Sequence, residues 1–268
     1  MTIASESPVY PFTHSPTHSL PCCLLTDGPA NGAWNMALDE ALLQAAETDG
    51  TAALRFYRWS EPTLSLGYFQ SHADRRLHTA SVNCPLVRRS TGGGAILHDR
   101  ELTYSIVLPL FDGFPLNARW LYRAVHNTLI QTLRDFGVAA SLCDKQADDP
   151  MNPVTEPFLC FQRRTPGDVL LAGHKIAGSA QRRRRCAILQ HGSVLLAKSA
   201  AALELLGIAE LTGIHLSAHQ LQVKWQPRLA ASLRLELEDA AHLCDPLLKA
   251  AAAISREKFA VSGWTLRR

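Results

Sequence analysis

The sequence predicts an α+β fold in which a mixed or antiparallel sheet is flanked by helices. Three observations predict it. Two stretches with helical apolar spacing are separated by short β-rich runs, a three-strand meander follows the second of them, and the C-terminal quarter turns helical again. Trp34, Ala37, Leu38, Ala41, Leu42 and Ala45 recur at helical spacing and predict a helix over 33–46 with one apolar stripe. Strands follow at 51–57 and 62–69, and Gly67 in the second marks a bulge or a close backbone approach. Leu86 and Val87 lead into a glycine loop, and 102–108 is a β-rich run after it. A second helix spans 118–136, with Leu121, Val125, Leu129, Leu133 and Phe136 on its apolar face and Gly137 as its C-terminal cap. Between 141 and 167 the pattern breaks into a long loop marked by Asp148, Asp149, Pro150, Pro153, Pro157 and Pro166.

The meander comprises a strand at 168–171, a turn at Ala172–Gly173, a strand at 174–181, a turn at Arg182–Arg185 and a strand at 186–196. Ser199 then caps a short helix ending at Gly207. Pro227 opens another, with Leu229, Leu233 and Leu237 on one face, and Asp245–Pro246 has the cap-then-proline order of a last helix start. Residues 1–19, rich in proline and serine, read as a poorly ordered lead-in, and 20–268 as a single domain.

Apolar residues make up 47% of the 268 and charged residues 19%, which fits a globular chain and excludes a disordered one. No apolar run is long enough for a transmembrane helix, and the N-terminal residues lack the basic and apolar regions of a secretory signal. A net charge of +3 does not imply nucleic-acid binding, so neither nucleic acid nor membrane is expected as a partner. Seven cysteines, an odd number, argue against a disulfide framework and for a reducing cytoplasm. His14, His18, Cys22 and Cys23 have the side chains of a metal cluster but match no common zinc spacing, so no metal is expected.

Four features carry candidate chemistry. Arg88-Arg89-Ser90-Thr91-Gly92-Gly93-Gly94, followed by His98, is either a flexible hairpin or a loop whose bare backbone approaches a ligand. Arginines before such a loop can hold an anion or polarise a carbonyl. Its spacing fits neither a Walker loop nor a dinucleotide fingerprint. Lys175, one of six lysines against 21 arginines, lies in Gly173-His174-Lys175-Ile176-Ala177-Gly178-Ser179-Ala180-Gln181. Alternation puts Lys175 and Ala177 on one face and His174 and Ile176 on the other, and the small residues at 177–180 leave room for a ligand. A solvated strand lysine explains Lys175 equally well. Cys160, between Leu159 and Phe161, reads by composition as a small core residue more often than as a nucleophile. Arg182–Arg185 is a solvated corner or a docking patch for an acidic protein.

Taken in order, several segments resemble the biotin/lipoate protein ligase and lipoyl/octanoyl transferase family. They are NMALDEA (35–41), LRFYRW (54–59), PTLSLG (62–67), RRSTGGGAILHDRELTYS (88–105), GHKIAGSAQRR (173–183) and LQHGS (189–193). The resemblance covers about residues 33–196. It implies that family's mixed sheet with an elongated acyl tunnel, Arg89, Thr91, Gly92, Gly93 and Gly94 at the tunnel mouth, His98 near it, and Gly178, Ser179 and Ala180 as another wall. Lys175 would donate to the acyl carbonyl. Cys160-Phe161 before the lysine hairpin is most similar to the cysteine-dependent octanoyltransferase type. That likeness implies a Cys160 thioester, octanoyl-acyl carrier protein as donor, and a lipoyl-domain acceptor such as the glycine-cleavage H protein or a 2-oxoacid dehydrogenase subunit, with no cofactor. The alternatives on the same residues are an ATP-dependent lipoate ligase, with Cys160 incidental, and a non-catalytic acyl- or biotin-binding module.

Overall fold

In the computed structural model, which describes residues 19–110, 118–144, 157–239 and 244–268, an eight-stranded sheet forms the middle layer. Its strands are β1 (Leu20–Ala30), β2 (Ala52–Trp59), β6 (Glu101–Pro109), β7 (Ser141–Leu142), β8 (Val169–Leu171), β9 (His174–Arg183), β10 (Ala187–Leu195) and β11 (Leu235–Asp239), in the order β11-β1-β2-β6-β10-β9-β8-β7. The β11/β1 and β1/β2 pairs are parallel and the rest antiparallel, so the sheet is mixed as expected. A smaller sheet, β4-β3-β5, joins Leu86–Arg88, Thr63–Leu66 and Ile96–His98 beside the glycine loop.

Helices cover both faces. Alternate residues of the central strands serve opposite layers: Leu54 and Ile106 pack with Leu121, Leu129 and Trp225, whereas Ala53 and Val107 pack with Leu38, Leu42 and Ala251. The first group comes from α2 (Ala118–Asp135) and α4 (Ala218–Leu233), the second from α1 (Gly32–Thr48) and α5 (Cys244–Ile254); α3 (Ile208–Thr212) and α6 (Ser262–Thr265) are short. Burial on both faces is why these strands read as continuous apolar runs. Among the described residues, no helix is long and apolar enough to cross a membrane.

Several sequence-based assignments are corrected. The single stripe on α1 is too narrow. Met36, Asp39, Glu40 and Leu43 are buried as well, because α1 is clasped between the sheet and α5. No helix runs from Ser199 to Gly207. Ser199 instead closes a turn by accepting from Ala201 N, and Gly207 precedes α3. Pro227 does not open a helix but lies inside α4, which starts at the Ser217 cap. It sits on the solvent face of the helix, where Val223, whose carbonyl it deprives of a partner, is also exposed. Leu237 belongs to β11, not to the helix of Leu229 and Leu233. Within the long loop, β7 and a 3₁₀ turn at Cys160–Gln162 are ordered structure. His14 and His18 lie outside the described residues. Cys22 and Cys23 alternate to opposite faces of β1 and so cannot share a ligand.

Candidate active site

Cys160 is fixed to the glycine loop by its backbone. Its N–H donates to Ala95 O at 2.7 Å, and Ala95 N–H donates to Phe158 O at 3.1 Å. Gly94 permits that approach, since a Cβ there would sit 3.2 Å from Cys160 N and Cα. Gly93 adopts φ +95°, and its carbonyl lies where a Gly67 Cβ would be, 1.9 Å away. The glycine at 67 therefore serves a close backbone approach.

Lys175 reaches the cysteine because β9 departs from strict alternation. The β8/β9 register slips between Val169–Ala177 and Leu170–Lys175. Ile176 and Ala177 both enter the core, and the Lys175 chain lies across Gly178, where a Cβ would meet its Cε at 2.5 Å. Lys175 Nζ stands 3.8 Å from Cys160 Sγ and 2.9 Å from Asp168 Oδ2. Asp168 is fully buried and also accepts from the Tyr122 hydroxyl (2.7 Å), Thr165 N (2.8 Å) and the Thr165 hydroxyl (3.0 Å). An ammonium has three donors. Two are directed at Asp168 and Cys160, which leaves one for a ligand oxygen. Sequence reasoning reads Asp168 only as a strand start. The signal it passes over is an acid entering a hairpin whose return strand carries a scarce lysine.

Both groups open onto a narrow, partly open cavity. Arg89, Gly92, Gly93, His98, Gly178, Ser179 and Ala180 line it, with Met36, Ile96 and Phe161 as apolar walls. Thr91 and Gly94 do not line it. Gly94 backs Cys160, and the Thr91 hydroxyl bonds His191 Nε2 at 2.8 Å while His191 Nδ1 donates to Asp39 Oδ2 at 2.9 Å. Burial works against the Asp39 charge, but the His191 hydrogen bond and the Arg55 guanidinium hold its carboxyl below the usual range. Other polar lining residues are likewise bonded to buried groups behind the wall: His98 to Glu101 (2.6 Å) and Ser65 (2.7 Å), Ser193 to Glu101 (2.8 Å), and Tyr57 to Asp39 (3.0 Å). These polar atoms are engaged away from the cavity, which therefore meets mainly carbon.

Two arginine expectations are refined. Arg89 lines the cavity and also braces the loop: its NH1 donates to Ser65 O and Oγ and its NH2 to Gly92 O and Gly94 O, while its buried Nε has no hydrogen-bond partner among the described residues. Burial brings it down to about 10, still charged at neutral pH. The four-arginine turn is not uniformly solvated. Arg184 pairs with Glu40 (2.5 Å) and Glu47 (3.0 Å), Arg182 donates to Ser90 O, and only Arg183 and Arg185 are exposed.

Behind Ser179 lies a buried network. Tyr104 bonds the Ser179 hydroxyl at 2.5 Å, that hydroxyl bonds His126 Nε2 at 2.7 Å, and His126 Nδ1 donates to Gly167 O at 2.6 Å. Burial pulls His126 down to about 4. Its folded value lies below the unfolded value of about 6.5, so the unfolded chain binds more protons in between and stability falls as pH drops through that window. Linkage puts the loss at about 2 kcal/mol by pH 5 and about 3 kcal/mol below pH 4. Urea midpoints at pH 7 and pH 5 measure it. His126→Gln should flatten the slope, leaving the share of His98, which burial also lowers.

Residues 31–210 match the family described as Lipoyl protein ligase A/B catalytic domain. The octanoyltransferase LipM of Bacillus subtilis (strain 168) is 38% identical over 181 residues, 64% of this chain and 64% of that protein. That of Bacillus anthracis is 30% identical over 274 residues, 92% of this chain and 98% of that protein. The alignment covers 64% of the first curated relative's length. Among solved structures, a bi-partite lipoate protein ligase studied with its E2 lipoyl domain, from Thermoplasma acidophilum, superposes with TM-score 0.72 at 20% identity, covering 92% of this chain and 96% of that one. Lipoate-protein ligase A bound with ATP gives 0.70 at 21%, covering 92% and 99%. At these identities the structural likeness concerns the fold.

Proposed function

The chain belongs to the lipoyl protein ligase A/B catalytic-domain family, and from that premise we propose that it is an acyltransferase. It moves an octanoyl or lipoyl group from acyl carrier protein, through a Cys160 thioester, to a lysine of a lipoyl-domain protein such as the glycine-cleavage H protein or a 2-oxoacid dehydrogenase subunit, in the cytoplasm and without a cofactor. One observation carries the reading: among the described cysteines only Cys160 lines the cavity, and a lysine ammonium stands 3.8 Å from its sulfur. Burial pushes the Cys22 thiol up to about 12 and also raises Cys84, and neither lines the cavity.

In the first half-reaction the Cys160 sulfur attacks the thioester carbonyl carbon. The new C–S bond forms, the bond to the carrier's sulfur breaks, and the proton lost by Cys160 leaves on the carrier thiol. In the second, the acceptor amine attacks the enzyme thioester. A C–N bond forms, the C–S bond breaks, and a proton from the amine returns to the Cys160 sulfur. The uncommitted Lys175 donor stabilises the carbonyl oxygen in both tetrahedral intermediates, and Asp168 holds the ammonium in place. The acyl group arrives already activated, so ATP has no role.

Purified protein mixed with octanoyl-acyl carrier protein and apo lipoyl domain, without ATP, should octanoylate the domain as read by intact mass. A strict ATP requirement would replace this reading with a ligase, and binding without turnover with a carrier module.

A further inference from the structure

The cavity meets solvent at Gly93, which is exposed, and at Ala180, which is half-buried. Beside that opening lies a group of aromatic rings and arginines that the chemistry above does not use. Tyr68 N–H donates to Thr91 O at 2.8 Å, and the Phe69 ring is the nearest group to Gly92, 3.9 Å from where its Cβ would be. These two residues thus run along the outside of the glycine loop. The Arg267 guanidinium stacks 3.8 Å from the Tyr68 ring centre and 4.1 Å from that of Trp264. Arg268 lies 5.3 Å from the Phe69 ring and 5.8 Å from that of Tyr68. Arg182, two residues beyond Ala180 on β9 and so on the same side of the strand, lies 5.9 Å from Tyr68.

Among the described residues, no side-chain carboxylate lies within ion-pair distance of Arg182, Arg267 or Arg268. Glu40, whose charge reaches Arg182, is already engaged by Arg184 and Lys258. The Arg267 hydrogen bond, and after it the charge of Arg267, Arg182 and Arg268, hold the half-buried Tyr68 phenol below its ordinary range. Phe69 is 70% exposed although large and apolar. Arginines pre-stacked on rings are weakly hydrated and lose little freedom on pairing with carboxylates, and an exposed aromatic beside them is the usual make-up of an interface anchor.

We propose that the Tyr68, Phe69, Arg182, Arg267 and Arg268 rim is the docking surface for an acidic protein face, that of the acyl donor, which delivers its thioester on an extended arm past Gly93 to Cys160. The assignment rests on the acyl-transfer reading above and adds where the donor sits. It moves the docking role from the Arg182–Arg185 turn as a whole to a rim of which only Arg182 is shared with that turn.

The test has two arms. First, octanoyl-acyl carrier protein is titrated against the full chain and against an Arg267→Glu/Arg268→Glu double variant at low and high salt, which reads binding whether or not transfer occurs. Affinity should fall at least about tenfold in the variant at low salt, and its salt dependence should shrink. Second, Cys160 acylation is followed by mass with the carrier-borne thioester and with free octanoyl-pantetheine thioester. The variant should be slowed on the carrier donor only, and Phe69→Ala should behave likewise. Unchanged carrier affinity, or equal loss with both donors, would overturn the proposal. Failure of wild-type protein to take up octanoyl from either donor would instead overturn the transfer reading, while the binding arm still decides the rim.

Discussion

Cys160→Ala should gain no octanoyl group from octanoyl-acyl carrier protein, and transfer to a lipoyl domain should fall by about 10³-fold or more, the scale of losing a nucleophile outright. The wild-type adduct should be one octanoyl group per chain and labile to neutral hydroxylamine, as a thioester is. The variant should fold normally. Cys160 is half-buried, its structural contacts to Ala95 are made by backbone atoms, and alanine keeps them. Cys160→Ser should acylate poorly, because a hydroxyl attacks weakly without a strong base and the resulting oxygen ester gives up its acyl group less readily to an amine. Cys84→Ala and Cys186→Ala, neither of which lines the cavity, should retain wild-type rates. Full activity of Cys160→Ala together with dependence on ATP would return the cysteine to a packing role between Leu159 and Phe161.

The second large effect belongs to Lys175. Lys175→Met should lower turnover by about 10²-fold or more, as expected for losing one oxyanion donor. The substitution also strips Asp168 of its cation. Breaking a buried ion pair from one side costs about 3–5 kcal/mol in general. The three hydrogen bonds that Asp168 retains, from Tyr122 and Thr165, place the expected loss at or below the lower end. A Lys175→Met/Asp168→Asn double variant should regain most of that stability, since no buried charge remains, and none of the activity. Thermal denaturation and acyl-enzyme formation, measured on the same three proteins, separate the roles. Recovery of turnover in the double variant would show that Lys175 acts only by balancing Asp168.

Much of the architecture is legible in the amino-acid sequence. Local spacing locates α1, β2, α2 and the meander, because a helix facing a sheet and a strand buried on both faces each leave a pattern in a short window. The ordered motifs likewise bring Cys160, Lys175 and the glycine loop under one functional heading. Where local pattern fails, a tertiary contact overrides it. Pro227 sits inside α4 on its solvent face, and Leu237 pairs with Cys22 of β1 across the sheet. The breadth of burial on α1 depends on α5, which lies far along the chain.

The same division applies to the site. Residue type and order are enough to nominate a thiol, an amine and a bare backbone loop, since their chemistry is carried by the side chains themselves. Which groups meet is decided only by the folded chain. A one-residue slip between β8 and β9 turns Lys175 towards Gly178 and Cys160. The hairpin return places Asp168 against it, and Gly94 lets the Cys160 backbone come within hydrogen-bonding reach of Ala95. Arg89, a candidate anion holder by residue type, braces the fold, because its NH1 and NH2 donate to the Ser65 carbonyl across the small sheet and to the carbonyls of its own glycine loop. Charge and reactivity are properties of a residue, whereas partnership depends on distances that the fold sets, within one hairpin for Lys175 and Asp168 and between remote segments for Cys160 and Ala95.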